Sequence, residues 1–570
     1  MKAESIPRIH LIFIVLFLFA LVLVGRLFFI QIVHGDEYSE RADGQYTMPA
    51  SNVFDRGSIF LSERDESLVS AATLKTGYIV ALNPQKIENI ENVYQKISSI
   101  IKIDENDFLT KAGKTNDPYE EIAHKIPKEK ATAILDLDLA GVSIHKHKWR
   151  FYPADKVASH TLGFVAYKDN DIVGRYGLEH YYEDVLSRGE NDLYVNFFAE
   201  IFSNITDSII TSDNSRDGDI IVSIEPVVQA QLENVLLEID EKWHSSATGA
   251  IIIDPRDGSI YAMAATPNFN PNDFSGEEDA SIFSNPLIES VFEMGSIVKP
   301  LAMAAALDSG AVTAETTYND KGYVILNGAR IENFDGKGRG VVPMQEVLNQ
   351  SLNTGMVYVM QEMGKETFKD YMLSYGIGEE TGIDLPGEIH GLVNNLNSTR
   401  DIEYATAAFG QGIAMTPISI TRSLATLANG GRLITPYLVE RIDYKTSRDK
   451  KIYPDEGERI IKKETSEEIS RMLVEVVDEA LLGGTVALPR YSIAAKTGTA
   501  QIPDMDNGGY YDDRYLHSFF GYFPAYDPQF LVFLYNVNPK GARYASQTLT
   551  HPFMDLTKFL IHYYEIEPDR

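Results

Sequence analysis

Apolar and polar positions divide this chain into three stretches of different character. Between Arg8 and Arg26 runs an uncharged segment, IHLIFIVLFLFALVLVG, and a second apolar stretch, LFFIQIV, follows it. Seventeen helical residues cover about 25 Å, and continuation past Arg26 reaches a hydrocarbon thickness of ~30 Å. Val22-Leu23-Val24-Gly25-Arg26 offers no small-x-small cleavage site, so the pattern predicts a retained transmembrane anchor over residues 9–33 instead of a removed signal peptide. Lys2 and Arg8 precede the span, which puts residues 1–8 in the cytoplasm and the bulk of the chain outside the membrane.

Residues 45–215 mix both periodicities. Tyr78–Leu82 reads as a strand and Gln95–Lys102 as a helix. The polar stretch Thr211–Asp219 marks a boundary. Beyond it, DIIVSI reads as a strand and PVVQAQLENVLLEIDEKW as a helix. Ala247–Asp254 and Ser259–Ala265 then flank Arg256-Asp257-Gly258, a hairpin signal. A helical middle follows, and strands return at residues 491–502, 517–524 and 529–537. Strands at both ends with helices between predict an α+β fold and not a wound parallel sheet.

Composition narrows the chemistry. Lysine and arginine number 51 against 82 aspartates and glutamates, a net charge of −31 that repels phosphate backbones and argues against nucleic acid. Cysteine is absent, which removes thiol nucleophiles, disulfides and thiolate metal sites together. The histidines form no H-E-x-x-H pattern, and His145-x-His147 reads as surface. Asp504–Gly509 is similar to a calcium loop, but Tyr515 stands where the closing glutamate belongs. No metal and no cofactor are expected.

An activated serine is the remaining route to covalent chemistry. Serine followed by lysine three residues later places both on one helix face, where the amine can take the hydroxyl proton. The pattern occurs at Ser99/Lys102, Ser143/Lys146, Ser296/Lys299 and Ser447/Lys450. Only Ser296 is followed by a helix of largely apolar residues, KPLAMAAALDSG, with Gly295 opening it and Gly310 closing it. The segment predicts a buried helix N-terminus that favours developing negative charge, and an apolar setting that disfavours a charged Lys299. Ser143 and Ser447 stand in hydrophilic runs that read as solvated surface, and Ser99 fits a peripheral helix. Ser351 and Asn353 interrupt a later helical pattern with a hydroxyl and an amide two residues apart. Lys496-Thr497-Gly498 follows a strand-like segment, where glycine lets another backbone come close. Two further patterns, Ser212-Asp213-Asn214 and Lys75-Thr76-Gly77, read as turns.

Ser296-Ile297-Val298-Lys299, Ser351-Leu352-Asn353 and Lys496-Thr497-Gly498 stand in the order found in the penicillin-binding transpeptidase domain, which residues 217–560 resemble. Thr266–Asn272, Gly410–Pro417, Asn429–Gly431 and His517–Pro524 add to the likeness. Asp55–Ile59, Arg150–Pro153 and Gly174–Glu179 resemble the pedestal of class B penicillin-binding proteins, nearer the division-type group. Met294 departs from the family, which usually has proline before Gly-Ser, and should change the rigidity of the turn and not the chemistry. The resemblance implies a cytoplasmic tail (1–8), the anchor (9–33), an elongated α+β pedestal (45–215) and a transpeptidase domain (217–565) whose antiparallel sheet is flanked by helices.

For function, the resemblance implies a single-pass protein of the cytoplasmic membrane, active outside the cytoplasm, that cross-links peptidoglycan stem peptides ending in D-Ala-D-Ala. Ser296 would be the nucleophile, Lys299 its base, and Ser351 with Lys496 the proton relay to the leaving D-alanine. Asn353 would bind the substrate amide, and Thr497, Gly498 and Thr499 its terminal carboxylate. The backbone N–H groups of Ser296 and Thr499 would form the oxyanion hole. β-Lactams would acylate Ser296, and a SEDS-family glycosyltransferase with other division membrane proteins would be partners. Two rivals stay open: a β-lactam hydrolase or penicillin sensor, and a division scaffold whose main task is recruitment.

Overall fold

The computed structural model describes residues 54–168, 171–188, 217–445, 448–454 and 456–570, together with Phe17, Phe19, Leu23 and Arg26. Those four positions have helical backbone; the rest of the expected anchor, Ser212-Asp213-Asn214 and Ser447 lie outside the described residues. Among the described residues no helix is long and apolar enough to cross a membrane.

The described chain sorts into two compact units, one containing Leu74–Trp149 and the other Arg56–Thr73 with Arg150–Arg570. Strand β1 (Ile59–Ser62) turns back antiparallel onto the first residues of β2 (Leu68–Leu82). In the smaller unit the rest of β2 is followed by α1 (Ile90–Ser98), α2 (Glu105–Ala112), β3 (Glu120–Ile126), α3 (Lys128–Leu135) and β4 (Val142–Phe151). Val80, Leu82, Ile97, Phe108, Ile122 and Ile134 close its core.

Three sequence expectations change here. Lys75-Thr76-Gly77 lies inside β2 and is not a turn; a Cβ on Gly77 would come 2.8 Å from the Trp149 ring, so the glycine makes room for an indole. Ser143 lies on β4, half-buried, with its Oγ 2.9 Å from His145 Nε2, and is not solvated surface. The helix placed at 95–102 runs from Ile90 to Ser98, because Asn89 caps it by accepting the Asn92 N–H.

In the larger unit, β5 (Gly218–Val222) pairs with β1 and leads into α4 (Pro226–Trp243) and the hairpin β6 (Ala247–Ile253) and β7 (Ile260–Thr266). The helical middle includes α5 (Lys299–Asp308), α6 (Met344–Asn349) and α7 (Asn353–Met363). Strands β8 (Ala494–Pro503), β9 (Tyr510–Phe523) and β10 (Phe530–Val537) and helix α8 (Thr550–Tyr563) close the chain. The sheet order is β8-β9-β10-β6-β7, antiparallel throughout, so β6 and β10 join the two ends of the unit.

Alternation along these strands splits the core into two layers. Ala250, Ile252, Ala262, Phe519, Val532 and Leu534 pack with α4 and α8. Ile251, Ile253, Met263, Phe520, Phe533 and Tyr535 belong to the opposite layer, which includes α5. Helix α5 is buried from Lys299 to Ala306, which is why its sequence shows no polar face.

Three short motifs, 55–59, 150–153 and 174–179, meet at one carboxylate. Glu179 is fully buried and accepts from Arg56 Nε at 2.6 Å, Arg150 Nε at 2.5 Å and the Tyr152 hydroxyl at 3.1 Å. Arg56 also donates to the Glu179 carbonyl and to Glu183, each at 2.7 Å, and Arg150 to the Gly57 carbonyl at 2.6 Å. Burial pushes the Glu179 carboxyl up, but Arg150 and Arg56 outweigh it and hold the group below its ordinary value.

Candidate active site

Ser296 occupies a 3-10 turn, Gly295–Val298, and the α-helix begins only at Lys299. In that tighter turn residues i and i+3 eclipse, which keeps Ser296 and Lys299 on one side. Gly295 has φ 63°, and a Cβ there would stand 2.8 Å from the Thr499 carbonyl oxygen. Glycine is therefore needed both for the backbone angle and for contact with β8. Its N–H donates to the Gly410 carbonyl at 3.1 Å, and the Met294 carbonyl before it accepts from the Ser518 hydroxyl at 2.7 Å.

Lys299 is completely buried. Its Nζ donates to the Ser351 carbonyl at 2.6 Å and to Asn353 Oδ1 at 2.8 Å, and lies 3.1 Å from Ser351 Oγ. Burial, with the nearby Lys496 as the smaller cause, pushes this amine well below the ordinary lysine value. The two carbonyl oxygens can only accept, so in the neutral amine they engage both N–H groups and leave the lone pair for a hydroxyl proton.

Ser351 sits in the break between α6 and α7 with φ 54°, a left-handed conformation uncommon outside glycine. From this bend both of its oxygens contact Lys299. Asn353 is held by donating from Nδ2 to the Glu332 carbonyl at 2.8 Å, leaving one amide hydrogen uncommitted by that bond. Behind it, buried Asn333 accepts the Thr354 N–H at 3.2 Å through Oδ1, while its Nδ2 donates to Asp320 at 3.0 Å. Two consecutive residues, Glu332 and Asn333, thus hold both the amide of Asn353 and the first turn of α7.

Strand β8 is an edge of the five-stranded sheet and carries Lys496, Thr497, Gly498 and Thr499. Lys496 is 3% exposed, donates to the Thr497 carbonyl at 3.1 Å, and is pushed down to about 8 by burial. Thr499 Oγ1 accepts the Ala545 N–H at 3.0 Å, which leaves its own hydrogen free to donate elsewhere. The backbone approaching Gly498 is internal: a Cβ would stand 2.7 Å from the Met294 carbonyl oxygen and 2.3 Å from Ser518 Oγ. A cleft of about 720 Å³ is lined by Ser296, Ser351, Asn353, Lys496, Thr497 and Thr499. Six of the eight expected site residues therefore share one cavity, Lys299 bonds to two of them, and Gly498 packs under the serine turn.

The supports were not visible in the sequence. Asn333 lies in a polar loop, and Ser518 reads only as one small residue in the strand HSFFGYF. Asp504, the start of the calcium-like loop, accepts the Asp506 and Asn507 N–H groups at 3.1 Å within its own turn.

A serine, a desolvated lysine and a hydroxyl gathered at one cleft with the edge strand of a sheet define a serine acyltransferase site of the Ser-x-x-Lys kind. Residues 248–556 match the penicillin-binding protein transpeptidase domain and residues 54–206 the penicillin-binding protein dimerisation domain. The chain belongs to the penicillin-binding protein transpeptidase family. It is 32% identical to stage V sporulation protein D of Bacillus subtilis, over 96% of this chain and 84% of that protein. It is 28% identical to the peptidoglycan D,D-transpeptidase FtsI of Escherichia coli, over 79% and 73% of the two chains. In fold it is similar to penicillin-binding protein 3 of Mycobacterium tuberculosis, solved with aztreonam, with a TM-score of 0.68, 21% identity, and coverage of 91% of this chain and 98% of that one.

Proposed function

We propose that this chain is a membrane-anchored serine D,D-transpeptidase that cross-links peptidoglycan in cell division and is a target of β-lactams. One observation carries the mechanism: the Lys299 amine, three residues from Ser296, is fully buried and bonded to the Ser351 carbonyl and Asn353 Oδ1, so its neutral form keeps a lone pair for a hydroxyl proton. Ser296 Oγ attacks the carbonyl between the two terminal D-alanines, and its proton passes to Lys299 Nζ. The N–H groups of Ser296 and Thr499 hold the oxyanion, where loss of one such donor costs roughly 2.7–4 kcal/mol. As the C–N bond breaks, the departing D-alanine takes a proton relayed through Ser351, with Lys496 beside the path. An amine of a second stem then attacks the acyl-serine and restores Ser296. Asn353 Nδ2 binds the substrate amide, and the hydroxyls of Thr497 and Thr499 receive its carboxylate.

The division assignment draws on the named relatives, and the anchor over residues 9–33 on the apolar run. The catalytic part then lies outside the cytoplasmic membrane, with a tail at 1–8, a pedestal at 45–215 and the transpeptidase domain at 217–565. Glycan polymerisation falls to a SEDS-family partner, reached with other division membrane proteins through the anchor and pedestal.

Labelling with a fluorescent penicillin tests the site. Wild type should form a long-lived covalent adduct and Ser296→Ala none; equal labelling of both would remove Ser296 from the reaction. Glu346 lines the same cleft, with one oxygen accepting the Asn349 amide at 3.1 Å, so adduct lifetime also separates the hydrolase reading. Rapid release of the antibiotic would favour hydrolysis.

The acylation rate should also fall as the pH rises through about 8, where Lys496 gives up the proton that supports the leaving group. Lys496→Arg stays protonated at these pH values. Stopped-flow acylation of the arginine variant should lose that alkaline limb; an unchanged limb would assign it to another group.

A further inference from the structure

The peptide group joining Met294 to Gly295 is held at both of its polar ends. Its carbonyl oxygen accepts from the Ser518 hydroxyl at 2.7 Å, and its N–H donates to the Gly410 carbonyl at 3.1 Å. A peptide group is planar, so fixing its oxygen and its hydrogen fixes its rotation, and Ser296 follows after a single residue. Met294, Gly295 and Ser518 are buried, so water cannot readily replace the hydroxyl. Ser518 is also the direct cross-strand partner of Gly498. Through this contact the turn carrying the nucleophile is tied to β9, the strand paired with the one that carries Thr499.

We propose that Ser518 is a positioning residue: by clamping the Met294 carbonyl it sets Ser296 against Thr499 of β8, whose N–H completes the oxyanion hole. It touches no substrate and acts through the peptide it holds. The absence of a Cβ at Gly498 belongs to the same device, since a methyl there would occupy the space where the Ser518 hydroxyl meets the carbonyl. The proposal rests on the acyl-enzyme reading above. Displacement by about 1 Å costs roughly 10²-fold in rate when reacting groups are oriented by their support. Loss of the clamp should therefore appear in the chemical step and leave noncovalent binding in place.

The test is acylation by a chromogenic β-lactam, resolved by stopped flow into a binding constant and a first-order acylation constant. Ser518→Ala should lower the acylation constant about 10- to 100-fold and leave the binding constant within about threefold. Ser518→Thr, which keeps the hydroxyl, should restore the rate; Ser518→Val matches threonine in shape without it. Should the alanine variant fail to fold, the threonine and valine pair decides. Valine at least tenfold slower than threonine with equal binding supports the clamp, and equal rates overturn it. Equal acylation constants for wild type and Ser518→Ala also overturn it. Ser296→Ala runs alongside, and only adduct formation there would discredit the acyl-enzyme reading itself.

Discussion

Replacing Lys299 by methionine should slow acylation of Ser296 by roughly 10²–10⁴-fold, the range general-base catalysis contributes. Methionine keeps an unbranched stem of similar length in a fully buried position and removes only the amine. Lys299→Arg should be similarly impaired, although it supplies a fixed positive charge, because a guanidinium stays protonated and offers no lone pair. The two variants together distinguish a base from an electrostatic support. A wild-type rate in Lys299→Arg would show that charge alone suffices and would sink the base assignment.

The sign of the pH effect follows from the same group. Burial holds Lys299 well below the ordinary lysine value, so the neutral, reactive form grows as the pH rises through that lowered value. The acid limb of the wild-type profile should therefore be absent from the residual activity of Lys299→Met. Melting need not suffer, because folding no longer has to desolvate an amine. Its cost falls on the carbonyl oxygens of Ser351 and Asn353 and on the Ser351 hydroxyl, which lose a partner.

The second large effect concerns stability. Glu179→Ala should destabilise the larger unit by about 3–5 kcal/mol, the usual cost of breaking a buried ion pair by removing one partner. Two guanidinium groups and the Tyr152 hydroxyl would be left around an empty, water-poor position. Denaturant unfolding should show a lower midpoint with an unchanged slope. The network also predicts acid sensitivity. A carboxyl held below its ordinary value contributes fully above the ordinary carboxylate range, and that contribution is lost as the pH falls through the lowered value. Glu179→Ala should be less sensitive to acid than wild type over that interval. A midpoint unchanged by the substitution would mean that the three motifs merely coincide in space.

Much of the secondary structure was legible because it rests on local pattern. The helix PVVQAQLENVLLEIDEKW is α4 residue for residue, and the hairpin about Asp257-Gly258 lies where the turn chemistry put it. The strand expected at 517–524 is the buried half of a longer strand from Tyr510, whose first residues are polar and more exposed. Lys75-Thr76-Gly77 misled because a glycine followed by a tyrosine-led strand reads as a turn, whereas the residue that required the glycine, Trp149, lies far along the chain.

The sequence by itself determined which serine stands beside a lysine at the start of a buried helix. Serine and lysine three residues apart, glycine before them and an apolar helix after them place a hydroxyl and an amine together by helical geometry alone. It also determined that no thiol chemistry is possible. Only the tertiary structure decided what holds the amine: its partners lie 52 and 54 residues away, in a helix break whose left-handed bend turns both oxygens of Ser351 toward it. The same holds for Ser518, 224 residues from the carbonyl it clamps, and for Arg56, 123 residues from Glu179. Periodicity reports the face a residue presents to its own element, because it arises from the repeat of the backbone. Which distant hydroxyl or carboxylate meets that face depends on how the layers pack, and that becomes visible only when the chain has folded.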